Sequence, residues 1–223
     1  MEFTFLMPCL NEAETLKFCI DEVKSAIERL NLNAEILVAD NGSVDGSVEI
    51  ALKNGARVIK VKAKGYGSAL IGGIKAAEGK YIIMGDCDGS YDFAHPDLFI
   101  TKLREGAGLV IGDRFKGGIE KGAMPFSHRW GVPFLSALAR WRFETDIRDF
   151  HCGLRAFERE TALKLNLICP GMEFATEIIA RFAQNGEKIQ QVPTPLRCDR
   201  RPGKPHLRTV RDGLRHLGFI LFN

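Results

Sequence analysis

Residues 64–93 read KGYGSALIGGIKAAEGKYIIMGDCDGSYDF and carry three consecutive signals of one fold. Turn glycines at 65 and 67 open a helical pattern, an apolar run at 80–85 follows, and three aspartates come directly after it. A helix that leads into a strand apolar on both faces predicts a parallel sheet buried between helices. Ligands bind such sheets at the carboxyl ends of the strands, where the aspartates would lie.

The same alternation runs through the first half of the chain. Strands are predicted at 3–7, 35–39, 56–61, 80–85 and 108–112, with helices at 13–30, up to Asn54, at 65–79 and at 96–104. Each strand is followed by a polar loop: PCLNEAE, DNGSVDGS, KGYGS, DCDGSYD and DRFKGG. Loops that converge on one sheet edge predict an α/β fold, with a mostly parallel central sheet flanked by helices and a ligand site at that edge.

The alternation weakens after residue 113. Helical patterns recur at 127–143 and 171–186, and an extended segment is predicted at 188–198. The first of these helices carries Trp130, Phe134, Leu138 and Trp141 on one side.

Composition is that of an ordinary globular protein. The 223 residues are 45% hydrophobic and 26% charged, and the net charge of +3 says little about partners. Six cysteines without a C-x-x-C pair are expected to be reduced thiols in a cytoplasmic protein. No run of about 18 apolar residues is present, so we expect no segment to span a bilayer alone.

Asp86 and Asp88 are the strongest candidate metal ligands. They are separated by one residue at a strand end, so both project to the same face if the strand geometry persists. Two carboxylates on one face suit Mg²⁺ or Mn²⁺, which leave positions for phosphate oxygens. Ser90 or Asp92 could add a ligand or position a metal-bound water, but Asp92 could equally cap the helix that begins after it.

A dinucleotide-binding enzyme is a competing interpretation of the same residues. A strand, a G-x-G turn, a helix and an acid about 20 residues later approach the dinucleotide fingerprint. Leu70 occupies the position of the third glycine, the G-x-G turn follows the third strand rather than the first, and the acid comes as a D-x-D pair.

Other polar residues at the predicted edge suit a nucleotide. Asp40 could accept hydrogen bonds from a base, and Glu12 could bind a ribose hydroxyl or simply start a helix. Lys64 precedes the helix at Gly65, and free N–H groups at a helix start attract phosphate. Arg114 could clamp a phosphate or be a solvated loop residue.

The C-terminal segment is strongly basic. Residues 197–216 contain seven arginines or lysines and two aspartates, and Leu207, Val210, Leu214 and Leu217 recur at helical spacing. A basic amphipathic helix over 206–223 suits an anionic membrane surface. Nucleic acid is not expected as a partner, because aromatic interleaving is absent and the rest of the chain is not basic.

Seven segments together resemble the family 2 glycosyltransferases with a GT-A fold. They are MPCLNEAETL, VADNGSVDGS, the opening stretch, GDRFKGG, DFHCGLRAF, GMEFATEI and RRPGKPHL, and they extend from residue 6 to about 207. The likeness is greatest to the branch that moves a sugar from a nucleotide-sugar to a polyprenyl phosphate. Two positions depart from the family pattern: Asn41 stands where a second Asp is common, and Ser90 where Gln is frequent.

The resemblance implies roles for individual residues. The nucleotide-sugar would be bound by Pro8, Asn11, Glu12, Asp40, Lys64, Gly65, Asp86 and Lys204. Asp86 and Asp88 would hold Mg²⁺ or Mn²⁺ together with the diphosphate. Catalytic residues would be Asp149 as a candidate base, Arg114 near the acceptor phosphate, and Arg200 on a loop closing over the donor phosphates. The acceptor would contact Arg129 and Arg155.

These expectations combine into one function. A GT-A catalytic domain over 1–205 and a C-terminal helix over 206–223 would transfer a hexose from a UDP-glucose or GDP-mannose type donor to a polyprenyl phosphate, with inversion. The protein would be cytoplasmic and peripheral at the inner face of the membrane, as a truncated or naturally short catalytic domain. A family 2 transferase with a saccharide or small-molecule acceptor is the alternative.

Overall fold

The structure, a computed structural model, describes residues 1–201 and 209–223. Its strands are β1 Phe3–Cys9, β2 Ala34–Asp40, β3 Arg57–Lys60, β4 Tyr81–Met84, β5 Leu109–Asp113, β6 Arg155–Glu158 and β7 Ile189–Pro193. Its helices are α1 Ala13–Leu30, α2 Ser47–Lys53, α3 Tyr66–Ala76, α4 Asp97–Arg104, α5 Arg114–Gly117, α6 Phe126–Phe143, α7 Arg159–Lys164, α8 Phe174–Gln184 and α9 Thr209–Phe222.

The strands form a single sheet in the order β3-β2-β1-β4-β6-β5-β7. All neighbouring pairs are parallel except those of β6, which runs antiparallel to β4 and to β5. The α/β fold and the five predicted strands are therefore confirmed. β6 was not predicted, because its four residues, RAFE, include two charged side chains and do not form an apolar run.

The register of the parallel strands gathers the predicted polar loops at one edge. Cys9 pairs with Asp40 at the ends of β1 and β2, and Leu6 pairs with Met84, so that Asp86 follows just beyond β4. Helix α3 packs closely on β1 because residue 73 is glycine: a Cβ there would lie 2.3 Å from Leu6 Cδ1. The apolar residues of β1 are buried on both faces, as a sheet covered by helices requires.

Helices α6, α8 and α9 pack together beyond this edge. In α9, Phe219 and Ile220 are buried in the core, and the Phe219 ring lies 6.2 Å from that of Phe143 in α6. Thr176 Oγ1 in α8 hydrogen-bonds His216 Nδ1 at 2.8 Å. Helix α9 therefore packs as part of the same core, and the boundary predicted between 205 and 206 lies outside the described residues.

Several large apolar side chains of α6 and α9 face away from the core. Here they are called the outer apolar surface, and they are Phe126, Trp130, Phe134, Trp141, Val210, Leu214, Leu221 and Phe222. In residues 1–201 and 209–223, no helix has both the length and the apolar character that crossing a membrane requires.

Candidate active site

A cavity of about 780 Å³ opens at the predicted edge of the sheet. Its acidic end is lined by Glu12, Asp86 and Asp88, which follow β1 and β4. Its basic end is lined by Arg114, Arg211 and Arg215, from the end of β5 and from α9. A cavity with carboxylates at one end and arginines at the other can hold a cation at the acidic end and an anion at the basic end.

The two aspartates of the D-x-D pair lie side by side at the acidic end. Asp88 Oδ1 accepts hydrogen bonds from Ser90 N at 2.9 Å and from Ser90 Oγ at 2.6 Å, so Ser90 fixes that carboxylate. Burial, with the negative charge of Asp88 beside it, raises the pKa of Asp86 to about 6. Asp86 is therefore costly to keep ionised unless a cation lies against it.

Arg201 supplies a positive charge at this end and was missed by the sequence analysis. Its Nη2 donates to Asp88 Oδ2 at 3.2 Å and its Nη1 donates to Glu12 Oε1 at 3.0 Å. Asp199 accepts from Arg201 Nε at 2.9 Å and holds the guanidinium in place. Burial raises the pKa of Glu12 to about 7, although Arg201 acts to lower it.

Arg200, which was predicted on a loop closing over the donor phosphates, does not line the cavity in the structure. Its guanidinium stacks over the Phe18 ring, 3.8 Å from the centroid, and its side chain runs beside Gly89 on the outside of the cavity. Neighbouring residues of an extended segment point in opposite directions, so Arg201 faces the aspartates when Arg200 faces out. Sequence alone could not choose between two adjacent arginines.

Asn41 organises the loop that carries Lys64 and Gly65. Its Nδ2 donates to Val61 O at 3.0 Å and to Ala63 O at 2.8 Å, and its Oδ1 accepts from Gly65 N at 2.8 Å. Lys64 Nζ in turn donates to Asn41 O at 2.7 Å. Asn41, Lys64 and Gly65 all line the cavity. The side chain at 41 donates two hydrogen bonds to carbonyls and accepts one from an N–H, a combination that an amide supplies and a carboxylate does not.

The same loop is pressed against residues 169–171. A Cβ on Gly65 would lie 2.1 Å from Pro170 O, and one on Gly67 would lie 2.0 Å from Cys169 O. Gly65 also has a φ of +126°, which L side chains rarely adopt. The two turn glycines are therefore required for contact between the two loops.

Arg114 and Asp149 form a buried ion pair. Arg114 Nε and Nη2 donate to Asp149 Oδ2 and Oδ1 at 2.7 and 2.8 Å, and Asp149 is fully buried. Backbone N–H groups of Arg114 and His151 donate to the same carboxylate at 3.2 Å each. Asp149 was predicted as a candidate general base. In the structure it does not line the cavity and both its oxygens are engaged by Arg114, which does line it.

Of the remaining nucleotide candidates, Pro8 lines the cavity and two others have local bonding roles. Asp40 accepts from Gly42 N at 3.1 Å and from Ser43 N at 3.0 Å, and is almost fully buried. Asn11 Oδ1 accepts from Val44 N at 2.9 Å. These bonds fix the loop after β2 next to the cavity.

The acceptor-side arginines lie in unlike places. Arg155 is fully buried in β6, where its guanidinium donates to the carbonyls of Cys152, Ala175 and Phe150 at 2.6 to 2.8 Å. Arg155 was predicted to contact the acceptor, and the structure places it away from the cavity, where it joins β6 to α8. Arg129 is exposed on α6, beside His128, which lines the cavity. Lys204 lies outside the described residues.

The arginines of α9 face the cavity, which the sequence analysis did not predict. Arg211 and Arg215 line its basic end, whereas Val210 and Leu214 belong to the outer apolar surface. The expectation that the helix would turn its basic face to lipid is thus corrected for these two arginines. Helical spacing identified the two faces of α9 but not which face the protein would cover.

Comparison with known proteins decides the family. The model of "Glycosyl transferase family 2" matches residues 4–165, which hold β1 to β6 and the D-x-D pair. The chain belongs to glycosyltransferase family 2. It is a glycosyltransferase, as the resemblance implied.

Two curated relatives from Haloferax volcanii are similar to this chain in sequence. The low-salt glycan biosynthesis hexosyltransferase Agl6 is 36% identical over 220 residues, which cover 98% of this chain and 52% of Agl6. A dolichyl-phosphate hexose transferase is 30% identical over 201 residues, covering 88% of this chain and 85% of that protein. The chain thus spans about half the length of Agl6.

A solved structure supports the GT-A fold. Glucosyl-3-phosphoglycerate synthase of Mycobacterium tuberculosis, in complex with Mn²⁺, uridine diphosphate and phosphoglyceric acid, superposes with a TM-score of 0.74 at 24% identity. The match covers 99% of this chain and 77% of the synthase. The predicted GT-A fold of this family 2 enzyme is therefore confirmed.

Proposed function

We propose that this family 2 enzyme transfers a hexose from a nucleotide-sugar to a polyprenyl phosphate. One observation carries the proposal: the acidic and basic ends belong to one cavity, and the helices that line its basic end also bear the outer apolar surface. A donor with a metal-bound diphosphate suits the acidic end, and a lipid phosphate suits the basic end. The Haloferax dolichyl-phosphate hexose transferase supports this choice of acceptor.

The acidic end has the donor set for Mg²⁺ or Mn²⁺. Asp86 and Asp88 would hold the ion, since hard divalent cations prefer carboxylate oxygens and buried Asp86 is otherwise costly to ionise. Outside residues 202–208, no group of three or more His, Cys, Asp or Glu side chains is arranged to hold a metal ion, so oxygens of the substrate would complete the coordination. Such an ion stabilises negative charge on a departing diphosphate.

Side chains of the enzyme would assist at the same place. Arg201 is held by Glu12 and Asp199 within reach of Asp88, so its guanidinium is preorganised beside the developing charge of the leaving group. Lys64 lines the same wall and is oriented by Asn41. Preorganised cations need little rearrangement when the anomeric bond breaks.

The acceptor would react without a strong base. A phosphate monoester has a second pKa near 6 and is already a nucleophilic anion at neutral pH. This agrees with the engagement of both Asp149 oxygens by Arg114. In-line attack by the phosphate oxygen would form the new glycosidic bond, expel the nucleoside diphosphate and invert the anomeric carbon.

The outer apolar surface would bring the cavity to the membrane that holds the acceptor. Trp130 and Trp141 are exposed on α6, and tryptophan is favoured at membrane interfaces. We infer a peripheral protein at the inner, cytoplasmic face, with apolar side chains rather than Arg211 and Arg215 in the lipid. Co-sedimentation with anionic vesicles should fall in Trp130→Ser and stay unchanged in Leu52→Ser, an exposed apolar residue of α2. Equal binding by both variants would remove the membrane from the proposal.

The donor and the metal are tested together. Thermal shift with a panel of UDP- and GDP-sugars, with and without Mn²⁺, should raise the melting temperature for the true donor, because a ligand that binds only the folded state stabilises it. Asp88→Asn should abolish transfer to undecaprenyl phosphate in excess Mn²⁺, whereas Asp146→Asn, an exposed aspartate, should retain it. Wild-type turnover by Asp88→Asn would exclude the metal role.

A small phosphorylated acid is the second candidate acceptor. The synthase of Mycobacterium tuberculosis in complex with phosphoglyceric acid superposes with a TM-score of 0.76 at 25% identity, and the basic end of the cavity suits any phosphate. Transfer to 3-phosphoglycerate but not to undecaprenyl phosphate would favour this alternative.

A further inference from the structure

We propose that Arg211 and Arg215 of α9 form the binding subsite for the phosphate of the acceptor. The inference rests on the proposed function only in that the acceptor carries a phosphate. Both arginines line the basic end of the cavity and lie four residues apart in a helix, which places them on one face, one turn from each other. Two guanidinium groups at that spacing can grip a phosphate from two sides.

Arg215 is held in a fixed orientation. Its Nε lies 2.8 Å from Glu173 Oε2 and its Nη2 donates to Glu173 Oε1 at 2.9 Å. Gly171 N donates to the same carboxylate at 3.1 Å, which fixes Glu173 in turn. A Cβ on Gly171 would lie 2.7 Å from Arg215 Nη1, so the absence of a side chain there leaves room for that nitrogen. Arg215 is thus oriented by Glu173 while its side chain stays 37% exposed.

The other groups on this wall differ from the two arginines. Arg114 lines the cavity, but its side chain is only 10% exposed and is paired with the fully buried Asp149, whereas the side chain of Arg215 is 37% exposed. Asp212 lines the cavity and is nearly buried, whereas Arg211 is exposed there. Arg211 and Arg215 are therefore the cations of α9 that an incoming anion can reach.

The position of the pair also suits a phosphate that carries a lipid. Leu214, between the two arginines in sequence, points outward as part of the outer apolar surface. A phosphate bound at Arg211 and Arg215 would have apolar side chains of the same helix close by, on the solvent side. A water-soluble phosphate would use the same two arginines without that surface.

Calorimetric titration of the full chain with two phosphate monoesters tests the subsite. Farnesyl phosphate represents the lipid source and 3-phosphoglycerate the soluble source. Arg211→Gln, and Arg215→Gln combined with Glu173→Gln to avoid an unpaired carboxylate, should each weaken binding by about tenfold or more. Arg148→Gln, an exposed arginine outside the cavity, is the matched control. Binding of the stabilising nucleotide-sugar serves as the measure of an intact fold.

The outcomes separate the two proposals. Loss of farnesyl phosphate binding in both arginine variants, with the nucleotide-sugar unaffected, supports both. If only 3-phosphoglycerate binds and its binding depends on the arginines, the subsite stands and the polyprenyl acceptor is wrong. If farnesyl phosphate binds all variants within twofold, the subsite is overturned while the acceptor assignment stands. Absence of binding by either phosphate to the wild type overturns both.

Discussion

Replacing Asp149 by Asn tests the buried ion pair that positions Arg114. The carboxylate is fully buried, and it accepts two guanidinium hydrogen bonds at 2.7 and 2.8 Å and two backbone N–H groups. Burial alone would lower the pKa of Arg114, but its neighbours, Asp149 among them, raise it above the ordinary value. Arg114 therefore stays charged in the variant, in a site that no longer neutralises it.

Removing one partner of a buried ion pair costs about 3–5 kcal/mol in the free energy of unfolding. For a chain of this size, about 2–4 °C is lost per kcal/mol, so the melting temperature should fall by about 6–20 °C. Thermal denaturation followed by circular dichroism measures this. Sugar transfer should also fall, since Arg114 would leave its place on the cavity wall, but the pH–rate profile of the residual activity should keep its shape.

A double variant separates the charge from the packing. Arg114→Met with Asp149→Leu removes both charges and fills a similar volume, so most of the lost stability should return while transfer stays low. If the double variant is as unstable as Asp149→Asn, the uncompensated charge is not the cause. A basic limb of the pH–rate profile that disappears in Asp149→Asn would restore the general-base role.

Three further predictions concern single residues. Asn41→Asp sets a carboxylate against two backbone carbonyls, so it should cost about 1–3 kcal/mol of stability and raise the KM for the donor more than that for the acceptor; an unchanged donor KM would contradict this. Gly65→Ala should lower both nucleotide-sugar affinity and melting temperature, because its Cβ would lie 2.1 Å from Pro170 O. The control is Gly106→Ala, at a positive φ but in open space, which should lower only the melting temperature. Burial lowers the pKa of His216 to about 4, so the free energy of unfolding is constant with respect to this residue above pH 6.5 and falls by about 3 kcal/mol as the pH falls towards 4. The melting temperature of His216→Asn should therefore decline less between pH 7 and pH 5 than that of the wild type. An equal decline in both proteins would exclude His216 as the cause.

The sequence predicted the parallel part of the fold because local pattern and global structure agree there. Each of the first five strands is an apolar run followed by a polar loop. β1, β2 and β3, which are consecutive in sequence, are also adjacent in the sheet. The antiparallel β6 has no such signal, since its four residues include Arg155, whose guanidinium donates to carbonyls of the preceding loop, at Phe150 and Cys152, and of α8, at Ala175. A charged residue in sequence gives no sign of that burial.

The acidic end of the site was predictable, whereas at the basic end only Arg114 was. Asp86 and Asp88 follow one strand, so their common direction depends on local geometry alone. Arg211 and Arg215 reach the cavity only because α9 packs on α6 and α8, a long-range contact that periodicity does not encode. Asp149 and Arg114 are 35 residues apart in sequence. Their ion pair engages the Asp149 carboxylate, for which the family resemblance had implied the role of a catalytic base.

The contact between the glycine turn and residues 169–171 limits how such enzymes can be recombined. Gly65 and Gly67 touch the carbonyls of Pro170 and Cys169, and Gly171, one residue further on, lies under Arg215. The backbone of residues 169–171 therefore contacts the donor-side loop at Gly65 and Gly67 and the proposed acceptor subsite at Arg215. A chimera that imports the 169–173 loop from a family member with another acceptor should fold and turn over only if the partner's 64–67 turn is imported with it.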